Sequence, residues 1–98
     1  MAKGSAFQEH LKFELLDPEF AASYLAVALE QGDEQFLYEA LAEIVKVHGF
    51  SKVSAQTGIA RQAIYKMLSS DGNPSFKNVA KLLSAIGLEL AINPKKVG

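Results

Sequence analysis

The chain has 98 residues, 49% of them hydrophobic and 21% charged, with no cysteine and a formal net charge of −1; that is enough for one domain whose core gains from a partner's added burial. The missing cysteine excludes a disulfide framework, a thiolate metal site and a cysteine nucleophile. No apolar run approaches a membrane span, and the N-terminus lacks a basic segment followed by a hydrophobic stretch and a cleavage site, so the expectation is a cytoplasmic protein, neither membrane-bound nor exported.

In chain order, residues 1–10 contain Gly4 and Ser5 and no clear period, which reads as a flexible arm ahead of a single domain over 11–93. From His10 to Leu16 the residues Leu11, Phe13 and Leu15 alternate with Lys12 and Glu14, the period of a short half-buried strand. Asp17 as N-cap and Pro18 at the first helical position start a helix over 18–30, with Ala21, Tyr24, Leu25, Ala28 and Leu29 as its stripe and Gly32 beyond its end. Asp33 opens a second helix over 34–48, which turns Phe36, Leu37, Ala40, Leu41, Ile44 and Val45 inward and Glu34, Glu39, Glu43 and Lys46 outward, and Gly49 stops it. The aromatics Tyr24, Phe36 and Tyr38 read as core, the common fate of aromatics at helical spacing.

Two short helices follow, over 51–58 with Ser51 as N-cap and over 61–69. Their residue types are those a helix-turn-helix requires: Val53 as apolar anchor, Ser54 small enough for close packing, Gly58 at the turn, and Ile59, Ile64 and Met67 pointing to the core. Arg61, Gln62, Tyr65, Lys66 and Ser69 remain outward, a polar strip of the kind that reads base edges in a major groove, although the same apolar spacing would also allow an ordinary helical hairpin in a bundle. Ala60 stands where a capping hydroxyl is expected, forgoing on the order of 1 kcal/mol. Ser70, Asp71, Gly72, Asn73 and Pro74 form a loop in which Gly72 permits a positive φ, and Ser75 caps a helix over 75–86 with Phe76, Val79, Ala80, Leu82, Leu83 and Ile86 buried. After Gly87, Leu88, Leu90 and Ile92 alternate as a second short strand before Pro94 and a basic tail, 94–98, with Lys95 and Lys96. The fold class is therefore all-α, about five helices, with short terminal β-strands that pair within the chain or across a dimer.

Charge is divided along the chain. Residues 1–45 hold nine carboxylates and two lysines (−7), whereas residues 46–98 hold eight cations and two carboxylates (+6). The basic half contains the two short helices, and helix N-termini there offer phosphate sites at Ser51 and Lys52 and at Asn73, Ser75 and Lys77, with Ser69 on the same outward strip. From charge alone, Glu34, Glu39 and Glu43 of the acidic half would steer a basic partner protein; the alternative is a solvated face that keeps the protein soluble.

The layout resembles the addiction-module antidotes, the HigA-type antitoxins with a λ-repressor-like or Xre-class helix-turn-helix. The resemblance runs over about residues 11–92 and is carried by Asp17, Pro18, Glu19, Ala21, Ala22, Tyr24, Leu25 and Ala28; by Leu29, Glu30, Gly32 and Asp33; by Thr57, Gly58 and Ile59; and by Ala63, Ile64, Tyr65, Lys66, Leu68 and Ser69. Gly72, Asn73, Pro74, Phe76, Leu82, Leu83, Ala85, Gly87 and Leu88 continue it, the Gly72-Asn73-Pro74 loop being its most specific part. It implies a dimeric antitoxin of a type II module that neutralises a basic, RelE-like ribonuclease toxin and binds double-stranded operator DNA to repress its own operon. It also implies Arg61, Gln62 and Lys66 as base contacts, with Tyr65 joining them from the sugar-phosphate edge. Ala60 and the stretch Phe50, Ser51, Lys52 depart from the family pattern. A stand-alone Xre-type or phage-like repressor remains the alternative, and a protein-interaction module without DNA binding a further one. No enzyme, cofactor or metal site is expected, because His10 and His48 lie on separate elements without carboxylate or nucleophile company.

Overall fold

The computed structural model describes residues 2–96, with side chains from residue 9 onward. Six helices follow one another: α1 (Ala2–Leu15), α2 (Pro18–Glu30), α3 (Glu34–His48), α4 (Phe50–Thr57), α5 (Arg61–Met67) and α6 (Phe76–Ala85). The caps explain several of the boundaries. The Asp17 carboxylate accepts from the Glu19 N–H at 3.0 Å, the Asp33 carboxylate from Gln35 and Phe36, and the Ser75 hydroxyl from the Asn78 N–H at 3.1 Å. Ser51 is not the cap it was expected to be: α4 begins one residue earlier, with Gly49 at the N-cap and no side-chain bond.

The two expected strands are absent among the described residues, and the helix count is six rather than five. His10 to Leu16 belongs instead to the end of α1 and its exit turn, and α1 also takes in residues 2–10, read from the sequence as an arm. The same apolar positions serve a helix, because Leu11 and Leu15 lie four apart and share a face. Leu15 is buried and Leu11 half-buried, while Phe13, which alternation would have placed beside them, is 75% exposed. His10 and Glu14 meet at 3.3 Å across one helical turn. With residues 10–15 helical and Leu16 in the turn, Leu88–Ile92 has no strand to pair with among the described residues. It leaves α6 as coil, tied at its start by the Leu88 N–H donating to the Leu83 carbonyl at 2.8 Å, and Ile92 is 91% exposed.

Packing follows chain order: α1 rests on α2 and α3, α2 on α3, α3 on α4, and α4 on α5 and α6. One core runs through all six, from Leu15, Ala21 and Leu25 through Ile44, Val45 and Val53 to Ile64, Leu82 and Ile86; each fully buried Val, Leu or Ile contributes about 1.5–3 kcal/mol. The helical stripes of the sequence are mostly the buried ones. The exceptions are Leu29, Phe36 and Phe76, expected inward and found exposed, Phe76 at 71%.

Candidate nucleic-acid interface

The α4–turn–α5 unit is held by side-chain bonds that its residue types make possible. Gly58 ends α4 in the left-handed region (φ 77°), where its N–H bonds the Ser54 carbonyl at 2.9 Å and a side chain would strain the backbone. Ser54 does more than allow close packing, since its hydroxyl donates to the Ile59 carbonyl at 2.6 Å. Thr57 donates its hydroxyl to the Val53 carbonyl at 2.8 Å and accepts from the Ile59 N–H at 3.1 Å. The Gly58 N–H, both backbone groups of Ile59 and the Ala60 carbonyl are thus met locally, while Val53 and Ile64 seal the unit against the core with no exposed surface. Ala60 carries no side-chain cap, as its lack of a hydroxyl required.

Arg61, Gln62, Tyr65, Lys66 and Ser69 are all exposed, whereas Ile64 between them is buried. Arg61 is not a free side chain. Its Nη1 donates to the Ser51 hydroxyl at 3.1 Å and its Nη2 to the Tyr65 hydroxyl at 3.1 Å, with the guanidinium carbon 5.6 Å from the Tyr65 ring centre. Tyr65 in turn stacks on Phe50, centroids 4.2 Å apart and planes 24° from parallel. Sequence reasoning named Arg61, Tyr65 and Ser51 separately and gave Phe50 no role in the site, since it is fifteen residues from Tyr65 and leaves no periodic signal. The i, i+4 spacing of Arg61 and Tyr65 was the one readable clue.

The expected phosphate contacts fall on two helix starts and a turn. Ser51 and Lys52 lie exposed in the first turn of α4, where Val53 is the first residue whose N–H reaches a helical carbonyl, that of Gly49 at 3.0 Å. Asn73, Ser75 and Lys77 are exposed around the start of α6, with the Ser75 oxygen already engaged in the cap. Ser69 donates its hydroxyl to the Lys66 carbonyl at 2.7 Å. Gly72 in the intervening loop does not have a positive φ; it is needed because a Cβ there would collide with the Met67 carbonyl and lie 2.8 Å from the Lys66 oxygen.

The three acidic candidates do not form one cluster. Glu34 opens α3, whereas Glu39, which accepts from the Gln35 amide at 3.3 Å, lies one helical turn from Glu43 on the same side of the helix. Glu43 is about 14 Å from Glu34 along the axis at a helical rise of about 1.5 Å per residue. It lines an open groove of about 710 Å³ together with Lys46, Phe50, Ser51, Arg61 and Tyr65. Glu43 also faces Tyr24, whose phenol is pushed above its usual pKa by burial and, secondly, by the Glu43 charge. At the end of α3, His48 keeps a buried Nε2 with no hydrogen-bond partner, and burial followed by the Lys52 charge holds its imidazole below the ordinary range.

Among the described residues no helix is long and apolar enough to cross a membrane. No solved structure matches the chain. An uncharacterized protein of Haemophilus influenzae is 31% identical over 73 residues, covering 74% of this chain and 75% of the relative. The profile of the family described as "Probable addiction module antidote protein" matches residues 8–94. That span takes in the described helices from the C-terminal half of α1 to α6, and the chain belongs to this addiction module antidote family.

Proposed function

We propose that the protein is the antitoxin of a type II module, of the HigA type, acting through a λ-repressor-like helix-turn-helix. In this reading it is a cytoplasmic homodimer that neutralises a basic, RelE-like ribonuclease and binds operator DNA to repress its own operon. The family match supplies the antidote role and with it a toxin partner. The DNA part rests chiefly on one observation: α4 and α5 are locked by the Ser54 and Thr57 bonds so that Val53 and Ile64 face the core and Arg61, Gln62, Tyr65 and Lys66 face solvent together. Such a strip suits the major groove, where arginine pairs with guanine O6 and N7 and glutamine with adenine, each good bidentate contact giving about 1–3 kcal/mol of discrimination. Lys52, Lys77 and the helix starts at Ser51 and Ser75, with Asn73 and Ser69, would take phosphates, and two copies would meet half-sites about 10 bp apart.

The test separates the two activities. The double variant Arg61→Ala with Gln62→Ala should lose the specific gel shift with DNA upstream of the gene while still rescuing growth when co-expressed with the neighbouring toxin reading frame. A variant that keeps full operator affinity, or one that loses rescue although it folds, overturns this assignment of roles.

A further inference from the structure

Arg61 stands at the first position of α5, where the positive end of the helix dipole disfavours a cation. It is nevertheless caught from two elements, by Ser51 on α4 and by Tyr65 one turn further along α5, each at 3.1 Å. Tyr65 could not hold that position alone as a half-exposed side chain, but its ring lies against Phe50 at 4.2 Å. The order of support is Phe50 behind Tyr65, Tyr65 and Ser51 behind Arg61. A guanidinium carries five N–H donors. Two of them are used here, which leaves three without a partner among the described residues.

We infer that Tyr65 and Ser51 are positioning residues that hold Arg61 in advance for a guanine edge, with Phe50 as the platform, and that this aromatic-hydroxyl bracket sets base specificity at one position of the DNA site. The inference rests on the DNA reading proposed above and deepens it, since it gives Tyr65 a role through Arg61 rather than a contact of its own. The physical reason is entropic. A free arginine must surrender its rotamers on binding, whereas a bracketed one has already done so, and the gain is realised only where its remaining donors meet their acceptor.

The probe is a duplex DNA library of random sequence, from which the wild-type chain selects its preferred site; affinities are then measured for that site and for each single base-pair change in it. Tyr65→Phe retains the ring on Phe50 and removes only the acceptor. It should weaken binding to the selected site by about 2- to 10-fold, the cost of ordering one long side chain. It should also relax preference at the same guanine-containing base pair that Arg61→Ala relaxes, and at no other. In the double variant, Tyr65→Phe should add nothing to Arg61→Ala, because its effect runs through that arginine. Ser51→Ala should relax the same base pair and Ser51→Thr, which restores a hydroxyl, should recover it. A merely structural role would lower affinity at every position and add to the arginine loss, which overturns the inference. So does a Tyr65→Phe protein with unchanged affinity and profile, or an Arg61→Ala protein that relaxes no single base pair. If the wild-type chain enriches no sequence at all, the DNA reading itself fails, an outcome distinct from failure of the bracket.

Discussion

His48 illustrates how a single side chain ties the fold to pH. Its Nε2 is buried without a partner and its pKa is held below the ordinary 6.5, first by burial and then by Lys52. The unfolded chain therefore binds a proton that the folded chain refuses. Stability from this group is complete above the unfolded pKa of 6.5 and is lost as pH falls from there through the lowered folded value. Urea melts across that window should show stability declining with acidity, and His48→Leu should flatten the decline; an unchanged slope in the variant would assign it to other groups. Gly72 makes a different single-residue demand. With Met67's carbonyl in the place of its missing Cβ, Gly72→Ala should cost about 1–3 kcal/mol by overpacking, read as a lowered melting midpoint.

Among the helices, α5 is the one most open to improvement, because Ala60 occupies an extended cap position (φ −58°, ψ 141°) without a side-chain acceptor. Ala60→Ser should raise stability by about 0.5–2 kcal/mol, and a thermal melt with no gain would mean that the turn bonds already offset the missing cap. Caps were also the most legible feature of the sequence. Asp17-Pro18, Asp33 and Ser75 placed the starts of α2, α3 and α6, and Gly58 placed the turn, because each depends on a local bond or a local backbone angle. The terminal strands were misread for a physical reason. Leu11, Phe13 and Leu15 satisfy a period of two and, through Leu11 and Leu15, a helical face as well, and only packing decides between them. Leu29, Phe36 and Phe76 were misplaced because a stripe read from spacing is wider than the face its neighbours cover. Within the candidate site, the exposed strip on α5 was readable from period, whereas the Phe50–Tyr65 stack and the Ser51–Arg61 bond cross between helices and leave no such trace.

At the scale of the molecule, the acidic and basic halves of the chain meet at Glu43. The carboxylate shares a groove with Lys46, Arg61 and Tyr65, whereas Glu34 sits at the other end of α3 and Glu39 one turn before Glu43. Charge reversal should therefore separate Glu34 from Glu43. Under the proposed function, Glu34→Lys should slow association with a basic toxin, most visibly at low salt, and leave DNA binding as it was; Glu43→Lys should strengthen DNA binding at low salt by removing a like-signed neighbour of the phosphates. Stopped-flow rates over a salt series measure the first effect and titration of labelled duplex the second, and equal behaviour of the two variants in both assays would show that the acidic surface acts as a whole. The chain-order packing of α1 to α5 carries a kinetic consequence. Nearly every helix finds its partner in its immediate successor, so each docking step closes a short loop and loses little chain entropy. The seatings of α3 on α1 and of α6 on α4 each span one intervening helix. Refolding after a denaturant jump is accordingly expected in a single phase within microseconds to milliseconds, the range of helical domains dominated by local contacts.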